Sequence, residues 1–133
     1  NPNATRPWQH VLEPISGYLL LGKKLFFKPN KFSSAWNFGP QNNQTLNVQK
    51  VVNIFFNELG IKKYINNKKG VFKESKLLKL NSNKSKNILK WKNTWSMEKS
   101  IEETAFWYKN SLKKKDLKKI TSLQVNKYFK KYD

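Results

Sequence analysis

One arginine, one histidine, a Tyr-x-x-x-Lys spacing and eight carboxylates are the side chains of this 133-residue sequence that could do chemistry. Arg6 stands in R-P-W-Q-H-V-L-E-P, at the start of an apolar stretch. A guanidinium there offers a planar fork of donors that fits two phosphate oxygens at once. His10 lies inside W-Q-H-V-L, where a lone imidazole reads as a satisfied core residue rather than a catalyst. Tyr64 and Lys68 have the spacing by which a lysine on one helix face lowers a tyrosine pKa. The intervening Ile-Asn-Asn and the following Lys69-Gly70 read as a turn, and in so lysine-rich a chain the spacing arises by chance. Most carboxylates fall at expected helix starts, where capping accounts for them. There is no cysteine, which excludes disulfides, thiolate zinc sites and thiol nucleophiles within these residues. No G-x-G-x-x-G or G-x-x-G-x-x-G turn is available to set a pyrophosphate on a helix N-terminus.

Composition bounds these readings. Hydrophobic residues make up 38% of the chain and aromatic residues 14%, too much apolar material for a disordered tail and enough for one domain. The formal net charge of +19 raises nucleic acid as a partner. All but one of the 27 basic residues are lysine, however, whereas readers of phosphates and base edges lean on arginine. A lysine-coated solvated surface is the preferred reading, and a free-standing basic nucleic-acid-binding module is the rival from another class. The longest apolar run, Ile15 to Leu21, is interrupted by Ser16 and Gly17 and falls far short of the roughly 20 residues that span a bilayer. The opening Asn1-Pro2-Asn3, with neither Met nor a leader pattern, is expected of a piece of a longer protein. Absence of cysteine is compatible with a cytoplasmic setting.

Local patterns predict the elements that would position these residues. Trp8 to Leu12 is predicted as a strand. Glu13-Pro14 opens a helix with an apolar face of Ile15, Tyr18, Leu19, Leu25 and Phe26, ended by Pro29-Asn30. Ala35 to Phe38 is predicted as a short strand stopped by Gly39-Pro40. Thr45 is the expected N-cap of a helix with Val48, Val51, Val52, Phe55 and Leu59 at helical spacing, closed by Gly60. Ile61 to Ile65 and Leu77 to Leu80 are candidate strands. Asn81 or Ser82 caps a short helix carrying Ile88 and Leu89, with Trp91 beyond it. A further helix begins near Ser96, with Met97, Ile101, Ala105, Tyr108 and Leu112 as its buried stripe. A last helix is expected over Thr121 to Tyr132, packing through Leu123, Val125, Tyr128 and Phe129. The pattern is α/β, with strands and helices interleaved.

The segment N-P-N-A-T-R-P-W-Q-H-V-L-E-P-I-S-G-Y-L-L, residues 1 to 20, resembles the extended short-chain dehydrogenase/reductases, the NAD-dependent epimerases and dehydratases. Within them, R-P-W-Q-H-V-L-E-P with S-G-Y-L-L is similar to the CDP-glucose 4,6-dehydratases; other relatives usually carry Asp at the position of Pro7. Downstream, A-W-N-F-G-P at 35 to 40, E-S-K-L-L-K-L-N at 74 to 81, K-S-K-N-I-L-K-W at 84 to 91 and A-F-W-Y at 105 to 108 follow in the family's order.

The resemblance implies the C-terminal part of such an enzyme: a nucleotide-sugar-binding portion with late Rossmann elements, the N-terminal Rossmann core lying outside these residues. NAD and the Tyr/Lys catalytic pair would belong to that other part, so no catalytic residue and no metal ligand are expected here. The parent would convert CDP-glucose to CDP-4-keto-6-deoxyglucose, a cytoplasmic step in making sugars for bacterial surface polysaccharide. It would be a homo-oligomer, with no specific nucleic acid and no membrane as partner. Arg6 matches the family arginine on the substrate diphosphate, and Glu74 an acidic position that contacts the nucleotide. Asn81 stands where relatives commonly have Asp, which an N-cap role tolerates. Another activity on the same scaffold, such as an epimerase, is the rival within the family.

Overall fold

The computed structural model describes residues 1–40, 45–62 and 77–130. Its architecture is helix-rich with one small sheet. In chain order come β1 (Thr5–Arg6), α1 (Leu12–Phe27), a single turn α2 (Pro29–Phe32), β2 (Leu46–Asn47), α3 (Val48–Leu59), a π-helical turn at Ser85–Leu89, α4 (Met97–Leu112) and α5 (Leu117–Phe129). β1 and β2 pair antiparallel, Thr5 opposite Asn47 and Arg6 opposite Leu46.

The interleaved strands expected from the sequence are mostly absent among the described residues. Trp8 to Leu12 is no strand: Pro7 has no N–H for a ladder, Trp8 N–H turns back to the Arg6 carbonyl at 2.9 Å, and Leu12 already begins α1. Ala35 to Phe38 runs without a sheet partner. Leu77 makes an isolated parallel bridge to Thr5 and the rest of Leu77 to Leu80 is irregular. Ile61 and Lys62 are likewise irregular, and the remainder of that candidate lies outside the described residues. A strand pattern marks a segment fit for a sheet, but a strand exists only where a neighbour supplies the other half of the ladder.

Helix signals held better. Gly60 closes α3 in the left-handed region at φ 78°, with its N–H on the Asn57 carbonyl and Ile61 N–H on Phe56, a turn that a Cβ would strain. Ser96 caps α4 by accepting Lys99 N–H at 3.1 Å. Two caps differ from expectation. Asn47, not Thr45, accepts Lys50 N–H at 2.9 Å to start α3, and Asp116 starts α5 four residues before the predicted helix. Asn81 Oδ1 accepts Asn83 N–H at 3.0 Å ahead of the π-helical turn, and Trp91 beyond it is buried.

Two apolar clusters hold the chain together. Phe32, Phe38, Leu89 and Trp91 form one, against Leu20, Leu21 and Leu25 of α1. Gly17 makes this packing possible: a Cβ there would sit 2.2 Å from the Phe38 ring. Leu46, Met97 and Ile101 form the second, with Trp8 and with Val51, Ile54 and Phe55 of α3. The predicted apolar stripes are only partly buried. On α4, Met97, Ile101 and Ala105 are inside, whereas Tyr108 and Leu112 face out; on α5, Tyr128 is inside and Leu123 is exposed. Most of the face predicted for α1 is exposed too. Leu12, Glu13, Ser16 and Gly17 point inward instead.

Candidate functional site

Arg6 sits at the best-pinned piece of backbone in the N-terminal segment. On one side β2 flanks it, with Val48 N–H bonding the Ala4 carbonyl and Gln49 N–H the Pro2 carbonyl, both at 2.9 Å. On the other, Leu78 N–H reaches the Thr5 carbonyl at 3.1 Å. Ala4 beneath is fully buried. The arginine itself is half-buried, and its Nη1 donates to the Thr5 carbonyl at 2.9 Å. The backbone that carries the side chain is thus held on both sides, which is a base from which a guanidinium can act by position. Glu74, Tyr64 and Lys68 lie outside the described residues. Leu77, three positions after Glu74 in sequence, is bridged to Thr5, so the E-S-K-L-L-K-L-N segment meets at Leu77 the strand that carries Arg6.

Next to this strand, Glu13 organises a buried polar hub. Its carboxylate is fully enclosed and accepts from Trp95 N–H at 2.8 Å, Thr94 N–H at 3.1 Å, Asn93 Nδ2 at 3.3 Å and the Tyr128 hydroxyl at 2.8 Å. Ser16 Oγ donates to the Glu13 carbonyl at 2.7 Å and accepts from Trp91 Nε1 at 2.9 Å. The hub ties α1, the 91–95 segment and α5 to one point. Burial, with the negative charge of Glu13 beside it, raises the Tyr128 hydroxyl pKa well above the ordinary tyrosine range, against the hydrogen bonds from Ser16 and Thr94. Tyr128 is therefore a neutral donor, not a base. Sequence reasoning assigned Glu13 only to a helix start and Tyr128 only to packing. The signal that could have found the hub is a carboxylate embedded between apolar residues at Val11-Leu12 and Pro14-Ile15.

His10 bears out the core reading. Its Nδ1 accepts Leu12 N–H at 3.2 Å and its carbonyl accepts Glu13 N–H at 3.0 Å, so it satisfies the start of α1. Its ring meets the Trp95 edge at 4.9 Å. Burial holds the imidazole below its ordinary pKa of 6.5, although Glu103 pulls the other way. Burial also pushes the Glu103 carboxyl up, but hydrogen bonds from Lys127, Lys99 and Gln124 outweigh it and hold the group below the usual carboxylate range. A cleft of about 380 Å³ opens here, between His10, Trp107 and Gln124. Among the described residues no group of three or more His, Asp or Glu side chains is arranged to hold a metal. No helix among them is long and apolar enough to cross a membrane.

No family model matches this chain. Over 129 residues, 96% of the chain, it is 30% identical to the CDP-glucose 4,6-dehydratase of Salmonella typhimurium strain LT2, and the match covers 36% of that protein. The chain thus spans about a third of the length of the relative it matches. The resemblance carried by the ordered motifs is borne out, and it extends over nearly the whole chain.

Proposed function

We propose that this chain is the C-terminal, sugar-nucleotide-gripping portion of a CDP-glucose 4,6-dehydratase. What supports the reading most is that the likeness to such an enzyme is continuous over 96% of the chain yet confined to a third of the relative. The parent converts CDP-glucose to CDP-4-keto-6-deoxyglucose, a net loss of one water. Its NAD has no seat in these residues, because the sequence holds no glycine-rich turn to bring backbone N–H groups onto a pyrophosphate. No step of the reaction is therefore derived from this chain through the cofactor.

What these residues do is bind. Arg6, on its pinned strand, holds the substrate diphosphate by a bidentate charge-assisted contact. Glu74 contacts the nucleotide. The Glu13 hub fixes the start of α1 against residues 93–95 and Tyr128. The full-length protein incubated with CDP-glucose should release a 4-keto-6-deoxy product lighter by one water, read by mass spectrometry. Epimerised CDP-sugar without loss of water would replace this reading with the rival activity on the same scaffold. Turnover of another nucleotide's glucose in preference to CDP-glucose would overturn the base assignment.

A further inference from the structure

The cleft of about 380 Å³ between His10, Trp107 and Gln124 has no part in the reading above. Its volume lies within the roughly 300–1,000 Å³ that small-molecule sites occupy. Trp107 and Tyr108 make one corner of it, their rings 5.4 Å apart at 81°. Trp107 is tied in place, because its Nε1 donates to Thr121 Oγ1 of α5 at 3.0 Å. A flat ring laid on one of these faces meets the other edge-on, and stacked and edge-to-face contacts are the two that aromatic pairs favour.

The polar side chains around this corner are already partly engaged, and what remains of each is defined. Gln124 uses its amide hydrogens on Glu103, at 2.7 Å to the carbonyl and 3.2 Å to Oε2, and keeps its oxygen. Gln9 turns Nε2 to the Phe38 carbonyl at 2.9 Å, which leaves Oε1 buried with no donor on it. Thr104 gives its hydroxyl proton to the Ser100 carbonyl at 2.8 Å and is left an acceptor. His10 has the opposite sense. With Nδ1 accepting Leu12 N–H, the neutral ring carries its proton on Nε2 and is a donor there.

Charge narrows the ligand. Lysine and arginine make up 27 of the 133 residues, yet neither lines this cleft. A phosphate would lose hydration on entry and find no countercharge. We infer that the cleft is a second binding site, for an uncharged nucleoside, whose planar base stacks in the Trp107–Tyr108 corner. Its edge brings a donor for the glutamine oxygens and an acceptor for His10 Nε2. Arg6, the residue suited to a diphosphate, is not among the walls. A pyranose would bring hydroxyls to the same acceptors but no flat π face for the corner.

The test is calorimetric titration of the full-length protein with adenosine and with cytidine, whose bases both carry an amino group beside a ring nitrogen. At least one should bind saturably, and its monophosphate should bind more weakly. Tyr108→Leu, at a half-exposed side chain, should weaken nucleoside binding by about tenfold, a usual loss for one stacking face. Trp107→Leu should weaken it by more; should that variant lose its fold, Tyr108→Leu still decides. Saturating CDP-glucose and Arg6→Ala should each leave nucleoside affinity unchanged. Failure of both nucleosides to saturate by about 10 mM overturns the inference. So does displacement by CDP-glucose, a monophosphate that binds as tightly as its nucleoside, or a folded Tyr108→Leu with wild-type affinity. Methyl glucoside binding in place of either nucleoside overturns it as well.

Discussion

Arg6 and His10, four positions apart, show how differently two rare residues can be used. Arg6 lies in a paired strand, and its Nη1 donates to the Thr5 carbonyl. A charge-assisted bidentate contact is worth roughly 1.5–3 kcal/mol, so in the full-length enzyme Arg6→Ala should weaken CDP-glucose binding by about ten- to a hundredfold. Arg6→Lys should recover part of that, because a point charge cannot reproduce the fork. Calorimetric titration showing intact CDP-glucose affinity in folded Arg6→Ala would reduce this residue to a surface charge. His10 is turned inward, and its Nδ1 must stay unprotonated to accept Leu12 N–H. Its pKa is lowered on folding, so the unfolded chain binds the extra proton as pH falls. The stability it contributes is complete above the unfolded pKa of about 6.5 and is lost as pH drops through the lower folded value. Melting temperature should therefore decline as pH falls below about 6.5. His10→Asn, which keeps an acceptor for Leu12 N–H, should flatten that decline; an unchanged slope would mean another group is responsible.

At the scale of elements, α1 is held by a carboxylate more than by its apolar side. Glu13 gathers N–H groups from the 94–95 turn and the hydroxyl of Tyr128 near the end of α5. Removing it leaves buried donors with no acceptor, which costs more than the bonds themselves are worth net. Glu13→Ala should destabilise the protein by about 2–5 kcal/mol, and Tyr128→Phe by about 1–2 kcal/mol, since it removes one donor and leaves the backbone bonds in place. Urea unfolding of both variants checks the order. Equal losses would show that the Tyr128 hydroxyl bond accounts for the whole effect and that the backbone N–H bonds to Glu13 add nothing. The helices that the sequence placed well, α3 and α4, are those whose boundaries rest on local chemistry: a Gly60 stop, a Ser96 cap and spacing of Val48 through Leu59.

Across the whole sequence, the lysines spread over every segment rather than clustering in one stretch. Polyanion binding should be weak, insensitive to sequence and steeply weaker between about 50 and 200 mM salt, because it rests on counterion release. Fluorescence anisotropy with two unrelated oligonucleotides measures this. A sequence preference surviving at physiological salt would revive a nucleic-acid role and set the dehydratase likeness aside.

By itself the sequence determined the ordered motifs, the Gly60 stop of α3 and the Ser96 cap of α4, because such caps, stops and motif order are written within a few residues of one another. Tertiary structure alone decided the rest. The predicted strands at Trp8 to Leu12 and Ala35 to Phe38 did not form, since a ladder needs a neighbour that local pattern cannot supply. Glu13 became a hub only because residues 80 to 115 positions away came to it. Periodicity marked both sides of α1 as apolar without saying which would be covered. Long-range contact settled that, leaving Leu20, Leu21 and Leu25 inside and Tyr18, Leu19 and Phe26 in solvent.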